Sequence, residues 1–264
     1  MPELPDVEIF KQYLDATALH QTIDRVEVDR TRILDQISEA ALARALKGSK
    51  LSSTRRHGKH LLAALNRGQY LTLHFGMTGF LKYFRDPDHR VSHVRLRLSF
   101  TNGYHLAYVS QRMLGKVGLT EEPEQFIREK GLGPDALKLD LAGFKKILAG
   151  KRGMIKSTLM NQSYLAGLGN VYSDEILFRC ALFPKIRTDS LDEEMQEKLY
   201  HEMVQTLKEA IYYRADPQKF PKSWLTKERQ NGGDCPKGHG QLERIKVAGR
   251  TAYYCPRCQP RPEA

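Results

Sequence analysis

The chain has 264 residues, of which 41% are apolar, so it can form one large or two medium domains with buried cores and is not a disordered protein. Its 42 Lys and Arg outnumber 31 Asp and Glu to give a net charge of +11, which favours an extended anionic partner and disfavours an acidic metabolic enzyme. No apolar run approaches the roughly 18 residues of a membrane helix, and residues 1–10 carry three acids where a signal peptide would be basic and then apolar, so we expect a cytoplasmic protein without membrane contact.

The spacing of apolar residues divides the chain into a β-rich half and a helical half. A helical spacing predicts an amphipathic helix over about residues 5–19, and short β-rich runs separated by turn signals follow over residues 23–119. Helical periods begin again at residue 141 and end near residue 213. We therefore expect an α+β protein with four parts: a helix and β-sandwich lobe (1–120), a linker (121–140), a helical domain (141–220) and a C-terminal β-hairpin zinc finger (221–264).

The first residues suggest an N-terminal nucleophile. If Met1 is removed, as a small second residue permits, Pro2 exposes a secondary amine. An α-amine has a pKa of about 8, against about 10 for lysine, so more of it is unprotonated at neutral pH and able to attack an aldehyde carbon. The resulting iminium would ease the loss of a neighbouring phosphate, and Glu3 could transfer protons. The alternative is that Pro2 and Pro5 only mark the start of a helix whose dipole the nearby acids complement.

Two basic segments hold most of the excess charge. Residues 47–67 contain six cations and no acid, and residues 214–264 contain eleven cations against five acids, so each segment has a net charge of +6. Two solvated basic faces are one interpretation. The other interpretation is that both segments bind the phosphate backbone of a nucleic acid, because Lys and Arg contacts to phosphate dominate the affinity for nucleic acids.

A glycine-rich turn between two predicted helices is a candidate anion site. Gly167 and Gly169 precede Asn170, which we expect at the N-cap of the second helix. Helix N-termini present unpaired N–H groups and a positive dipole, and glycine permits the close approach of a phosphate. Lys156, near the start of the first of these helices, could add a charge-assisted contact. Tight helix corners use the same residues only to turn the chain, so the pattern alone leaves both roles open.

The C-terminal cysteines predict a metal site. Cys235 and His239 precede a Cys-x-x-Cys pair, Cys255 and Cys258, and three thiolates with one imidazole complete a tetrahedral zinc shell. With four protein ligands no position stays open for a substrate, so we expect one structural Zn²⁺ that stiffens a short polar hairpin. If His239 is only a surface residue, the metal would be absent or three-coordinate. Cys180 lies in an apolar helical run and is expected to be a core residue.

Five motifs follow one another along the chain: PELPDVE at residues 2–8, RRHGK at 55–59, HFGMTG at 74–79, GLGN at 167–170 and the Cys/His set. Together they resemble the formamidopyrimidine-DNA glycosylase and endonuclease VIII family over essentially the whole chain. The resemblance implies an N-terminal helix with a β-sandwich, a helix-two-turns-helix domain and a zinc finger, with duplex DNA crossing between the lobes. It also implies removal of an oxidised base and strand cleavage by β,δ-elimination, by a monomer associated with the nucleoid.

The same resemblance assigns roles to individual residues. Pro2 would attack the anomeric carbon of the sugar, Glu3 would protonate the ring oxygen, and Lys59 would hold phosphate and assist elimination. Asp6 lies where the family usually has Glu, near the lesion pocket. Three positions match the family's phosphate contacts: His74, Asn170 and Arg250. Three others match the residues that fill the gap left by a flipped-out base: Met77, Arg112 and Leu114.

Several departures from the family pattern leave the preferred lesion open. Leu114 replaces the aromatic residue of the guanine-lesion enzymes, Met113 replaces a second arginine, and His239 replaces a cysteine. The segment before Cys235 is also shorter than in enzymes that cover oxidised guanine with a loop. Because the catalytic residues are present, we expect a bifunctional DNA glycosylase and abasic-site lyase. The alternatives are a protein of the same fold that binds damage without catalysis and a zinc-ribbon protein that binds RNA.

Overall fold

The computed structural model describes residues 1–85, 91–230 and 232–262. The chain divides into two units, Met1–Lys130 and Gly131–Ala264. Together they contain the β-sandwich, the helical domain and the C-terminal β-hairpin that the sequence predicts, so the α+β fold is confirmed. Within the described ranges, no helix has the length and apolar character needed to span a bilayer.

The first unit begins with helix α1 (Leu4–Thr17). Pro5 lies in its first turn, where a missing backbone N–H breaks no helical hydrogen bond. Val7 and Leu14 are fully buried and belong to the apolar stripe that the sequence predicts between residues 5 and 19, and Leu4, just before it, is also fully buried. The stripe joins the core of the sandwich.

Two antiparallel four-stranded sheets form the sandwich. One sheet has the order β1 (Ile23–Val28), β6 (Val94–Phe100), β7 (His105–Val109) and β5 (Phe80–Phe84). The other has the order β2 (Leu51–His57), β3 (His60–Leu65), β4 (Tyr70–His74) and β8 (Lys116–Thr120). Alternate residues of both sheets point into one apolar core, as in sandwiches generally.

Two short helices of this unit lie where the sequence predicts none. Helix α2 (Glu39–Leu46) interrupts the β-rich half, and its N-cap Ser38 accepts a hydrogen bond from Ala41 N–H at 3.2 Å. Helix α3 (Pro123–Glu129) lies in the stretch predicted to be a linker. Both helices have eight residues or fewer, which is too short for a clear helical period in the sequence.

The second unit contains helices α4 (Leu141–Leu148), α5 (Ile155–Met160), α6 (Asn170–Arg179), α7 (Glu193–Tyr212) and α8 (Leu225–Glu228), followed by the hairpin of β9 (Glu243–Val247) and β10 (Arg250–Tyr254). The helical period predicted from residue 141 to near residue 213 is interrupted after Met160, where α5 ends. There Asn161 Oδ1 accepts hydrogen bonds from Ser163 N–H at 2.9 Å and Ser163 Oγ at 2.7 Å. Such a local side-chain turn competes with the helix and ends it.

Candidate active site and nucleic-acid interface

The first turn of α1 holds the two carboxylates nearest the N-terminus. Glu3 is the N-cap residue and is only 1% exposed. It forms a capping box with Asp6, in which Glu3 N–H donates to Asp6 Oδ2 at 2.9 Å. The capping box fixes both carboxylates beside the half-buried Pro2.

Asp6 is poised to exchange a proton near neutral pH. Burial raises the pKa of the Asp6 carboxyl from 3.8 to about 6, and the negative charge of Glu3 acts in the same direction. Hydrogen bonding from the Glu3 backbone N–H only partly opposes this rise. A raised pKa in the folded state means that the protonated carboxyl stabilises the fold, and this stabilisation is lost as the pH rises from about 4 to about 6.

We expect Asp6→Asn to remove this pH dependence. Asparagine mimics the protonated acid and can still accept the Glu3 N–H bond, so the variant should be more stable than the parent chain at about pH 7 and equally stable at about pH 3. Chemical unfolding at the two pH values measures the difference. Asp24→Asn, at an exposed residue of β1, is the matched control, and an equal gain from that substitution would contradict a specific effect of Asp6.

Lys59 lies at the tip of the β2–β3 hairpin. Gly58 and Lys59 form its two-residue turn, and Gly58 has a φ of +54°, which glycine adopts without strain. The neighbouring Arg56 is 6% exposed, and its Nε donates to Glu8 Oε2 at 2.8 Å. Its Nη1 also donates to Gly58 O at 3.2 Å. Arg56 therefore ties the turn that carries Lys59 to α1, the helix that carries Glu3.

His74, at the end of β4, is a neutral hydrogen-bond donor. Burial lowers the pKa of its imidazole to about 4, and the charge of Lys59 acts in the same direction. Gly76 N–H approaches His74 Nδ1 at 3.4 Å, which favours the tautomer with its proton on Nε2. At pH 7 this side chain can therefore donate one N–H to a phosphate without adding positive charge.

Two loops of the first unit pack against each other. They carry the residues predicted to fill the gap that a flipped-out base leaves in DNA. A Cβ atom on Gly76 would lie 2.5 Å from backbone atoms of Leu114 and Gly115, so only glycine fits there. Arg112 N–H donates to Thr78 Oγ1 at 3.3 Å and joins the loops a second time. The structure therefore places the predicted residues Met77, Arg112 and Leu114 on adjoining loops.

These loops expose apolar side chains. Met77 is 39% exposed and Leu114 is 44% exposed, although both are large hydrophobic residues. Met113, beside Leu114, has a φ of +50°, a conformation that costs energy for any residue with a side chain. Exposed apolar groups and local strain are both typical of functional surfaces.

The sequence predicts Asn170 at the N-cap of a helix in the second unit. In the structure Gly169 is the N-cap residue of α6, and Asn170 is the first residue of that helix. The Asn170 side chain does not cap the helix because Nδ2 donates instead to Thr251 O on β10 at 2.9 Å. This bond fixes the amide orientation and leaves a second hydrogen of Nδ2 to donate. Asn170 Oδ1 is buried and, within the described part of the chain, has no hydrogen-bond partner.

Lys156 does not occupy the place that the sequence predicts. It is 0% exposed, so a direct contact with DNA phosphate is incompatible with the structure. Its ammonium forms an ion pair with the buried Asp174 and donates to Asn170 O at 3.1 Å and Ser173 Oγ at 3.2 Å. Lys156 therefore supports the start of α6 from inside the unit.

Arg250 is exposed and is the first residue of β10. It pairs with Val247 across the two-residue turn 248–249 of the β9–β10 hairpin. Its guanidinium is therefore carried at the tip of a short, regular hairpin.

The predicted metal ligands come together at the base of this hairpin. One ligand atom from each residue, Cys235, His239, Cys255 and Cys258, lies within 4.8 Å of all the others. Cys258 Sγ is 3.5 Å from Cys235 Sγ and 3.0 Å from His239 Nδ1. Bonds of about 2.3 Å from zinc to sulfur and about 2.0 Å to nitrogen fit such a cluster. Three sulfurs and one imidazole match the shell of a structural zinc ion.

Three charged residues that support these sites are not predicted from the sequence: Arg56, Asp174 and Arg229, whose Nε donates to Asp174 Oδ2 at 2.8 Å. Glu175 is also fully buried and pairs with Arg179 at 3.1 Å. A signal for Asp174 and Glu175 was present, because two adjacent acids interrupt an otherwise apolar helical run. A buried carboxylate requires a cationic or hydrogen-bonding partner, but the sequence does not say which cation supplies it.

Three known domains match the chain in order. The formamidopyrimidine-DNA glycosylase N-terminal domain matches residues 1–117, the formamidopyrimidine-DNA glycosylase H2TH domain matches residues 131–221, and the zinc finger found in FPG and IleRS matches residues 241–261. The chain belongs to the formamidopyrimidine-DNA glycosylase family. It is therefore a DNA-repair glycosylase with a zinc finger, and both the predicted family and the predicted structural zinc are confirmed.

Members of the formamidopyrimidine-DNA glycosylase family match over nearly the full chain. The enzyme of Heliobacterium modesticaldum is 33% identical over 280 residues, covering 98% of this chain and 100% of that protein. The enzyme of Synechococcus elongatus is 32% identical over 278 residues, covering 98% of each. A solved structure of Lactococcus lactis Fpg in complex with DNA containing an abasic site has a TM-score of 0.89 at 26% identity, covering 98% of this chain and 100% of that one.

Proposed function

We propose that this chain excises oxidised bases from duplex DNA and then cleaves the strand at the abasic site. The observation that carries the proposal is the first turn of α1, where the buried Glu3 and the half-buried Asp6 closely follow Pro2 in a member of a glycosylase family. The solved structures of relatives contain DNA with an abasic site and DNA with carbocyclic 8-oxo-G. Both support damaged duplex DNA as the substrate.

In the first step, the Pro2 nitrogen forms a bond to C1′ of the damaged nucleotide. The glycosidic bond breaks, and the base leaves with the bonding electrons and takes up the proton that the Pro2 nitrogen loses. Glu3 donates a proton to the sugar ring oxygen, so the ring opens and C1′ becomes the carbon of an iminium on Pro2.

In the second step, the iminium withdraws electrons and acidifies the hydrogens at C2′. Loss of one of these protons expels the 3′ phosphate, and a second elimination expels the 5′ phosphate. Lys59, on the hairpin turn tied to α1 by Arg56, holds a phosphate and stabilises the charge that it gains on leaving. Water then hydrolyses the iminium and releases Pro2.

The remaining assigned residues hold the DNA in place. His74 and Asn170 each donate a neutral N–H to phosphate, and Arg250 supplies a charged contact. The residues that fill the space left by the everted nucleotide are Met77, Arg112 and Leu114. Cys235, His239, Cys255 and Cys258 hold the zinc ion, whose contribution is to stiffen the hairpin that carries Arg250.

An excision assay tests this function. The protein is incubated with duplexes that carry one oxidised purine, one oxidised pyrimidine or one abasic site, and both released base and strand breaks are measured. We expect base release from at least one lesion and a break with phosphate at both new ends. Tight binding without cleavage would show instead a damage-binding protein that has lost catalysis, and preference for single-stranded RNA would overturn the proposal.

Arg250→Ala should weaken binding to all duplexes by a similar factor, because a phosphate contact carries no sequence information. The slope of log affinity against log salt concentration should fall by about one. A salt titration of affinity for an intact and a damaged duplex measures both effects. An unchanged slope would contradict the phosphate role of Arg250.

A further inference from the structure

One carboxylate of the second unit connects four parts of the chain. Asp174 is 0% exposed and lies one helical turn after Asn170 on the same face of α6. One carboxylate oxygen accepts a hydrogen bond from the Lys156 ammonium. The other accepts one from Arg229 Nε at 2.8 Å and one from Tyr253 N–H at 3.2 Å. Helices α5 and α6, the residue after α8, and β10 therefore meet at Asp174.

The Arg229 guanidinium extends this junction to the start of α6. Its Nη2 donates to Asn170 O at 3.3 Å and to Thr251 O at 3.4 Å. The same group lies over the Tyr253 ring, 5.0 Å from the ring centre. A planar guanidinium can bind a carboxylate and two carbonyl groups in a fixed geometry, which a lysine ammonium cannot reproduce.

These bonds fix the two predicted phosphate contacts of this unit relative to each other. Strand β10 is held at Thr251, which accepts from Arg229 and from Asn170 Nδ2 at 2.9 Å, and again at Tyr253. Arg250 directly precedes Thr251 in the chain. The backbone next to Arg250 is thus bonded directly to the Asn170 side chain and, through Arg229, to the Asn170 backbone oxygen.

We propose that Arg229, Asp174 and Lys156 are positioning residues that set the separation between Asn170 and Arg250, so that the two act as one phosphate-binding unit. This inference rests on the phosphate roles in the proposed function. Lys156 and Asp174 are fully buried, and the Arg229 side chain is 16% exposed. The three residues act by holding Asn170 and Arg250 in their binding geometry before DNA arrives, so that less order is lost on binding.

A double-mutant cycle between Arg229 and Arg250 tests the inference. The parent chain, Arg229→Gln, Arg250→Ala and the double variant are compared in affinity for a duplex with a stable abasic-site analogue, across salt concentrations. Arg229→Gln should weaken binding on the order of tenfold. Arg250→Ala should then cause much less additional loss in the Arg229→Gln background, and should change the salt slope less there, because the Arg250 contact has already been weakened.

Further measurements separate positioning from general damage to the fold. Arg229→Lys keeps the charge beside Asp174 but loses the hydrogen bonds to Asn170 O and Thr251 O, so this variant should retain part of the affinity for DNA. It replaces Arg229→Gln in the double-mutant cycle if Arg229→Gln does not fold. Cleavage at saturating DNA should be unchanged in both variants. Arg187→Gln is the charge-matched control, because Arg187 is exposed and its guanidinium pairs with the neighbouring Asp189 at 2.6 Å. Its loss of affinity should be smaller and additive with that of Arg250→Ala.

Two outcomes would overturn the inference and are distinguishable from failure of the proposed function. Unchanged affinity in Arg229→Gln would overturn the positioning role alone. Losses that simply add in the double variant would do the same, because they would show that Arg229 acts independently of Arg250. If instead Asn170→Ala and Arg250→Ala each leave the affinity unchanged, the phosphate roles in the proposed function are wrong, and the positioning inference is wrong with them.

Discussion

Replacing Glu3 by glutamine should lower base excision by about 10²- to 10⁴-fold, because the step requires an acid beside the sugar. Glutamine has nearly the same shape and also has a side-chain oxygen that can accept the Asp6 N–H bond of the capping box. The variant should therefore keep the structure at the start of α1 but lack the acidic proton that Glu3 donates. Strand cleavage at a preformed abasic site should fall much less, since the base has already left and the sugar already has an aldehyde form that Pro2 can attack.

Single-turnover assays on a lesion duplex and on an abasic duplex measure the two steps separately. Glu39→Gln is the matched control, because Glu39 is an exposed residue in the first turn of α2 and the chemical change is the same. Both activities should be unchanged in this control. Equal losses of excision and cleavage in Glu3→Gln would show that Glu3 supports both steps, or only the structure of α1, and would contradict its role as the acid for base release.

Cys258→Ser should abolish zinc binding and DNA binding while the sandwich remains folded. Binding of a structural zinc ion supplies on the order of 10 kcal/mol, which a short hairpin cannot replace. Among the described residues, the apolar cluster that contains Cys235 and Cys255 also contains Phe178, Leu225 and Leu242. Without the ion, β9 and β10 should lose their pairing, and Arg250 should lose its fixed position.

Cys180→Ser provides the control for this substitution. Cys180 is a buried cysteine at the end of α6 and does not belong to the ligand cluster, so this variant should keep one zinc ion per chain. Metal analysis, affinity for abasic-analogue DNA, and thermal unfolding of the first unit are measured for both variants. Full DNA affinity in a zinc-free Cys258→Ser protein would contradict the role of the ion in holding the hairpin.

The parts of the fold predicted correctly are those whose physical cause is local in sequence. The Cys-x-x-Cys pair brings two sulfurs to one ion whatever the rest of the chain does, and the structure gathers all four predicted ligands. The apolar period after Pro5 likewise locates α1 within two residues at its C-terminal end. The short helices α2 and α3 were missed because two turns of helix provide too few apolar positions to define a period.

The errors concern side chains whose position depends on distant partners. The position of Lys156 near the glycine-rich turn predicts a phosphate contact. The prediction fails because its ion-pair partner, Asp174, lies 18 residues away in another helix and cannot be recognised from the sequence. Asn170 was expected at an N-cap, but its amide is bonded to Thr251, which follows 81 residues later. Neither pairing leaves a periodic signal in one sequence. The contacts of Asp174 and Arg229 with β10 could be recognised only from the structure.

We propose that the nucleophile is the secondary amine that Pro2 exposes after removal of Met1. The most direct test is to treat the enzyme with an abasic-site duplex in the presence of borohydride, which reduces an iminium to a stable amine, and then to map the adduct by mass spectrometry of peptides. If Pro2 is the nucleophile, a sugar remnant should be found on an N-terminal peptide that begins at Pro2. An adduct on a lysine such as Lys59, or active enzyme that retains Met1, would contradict it.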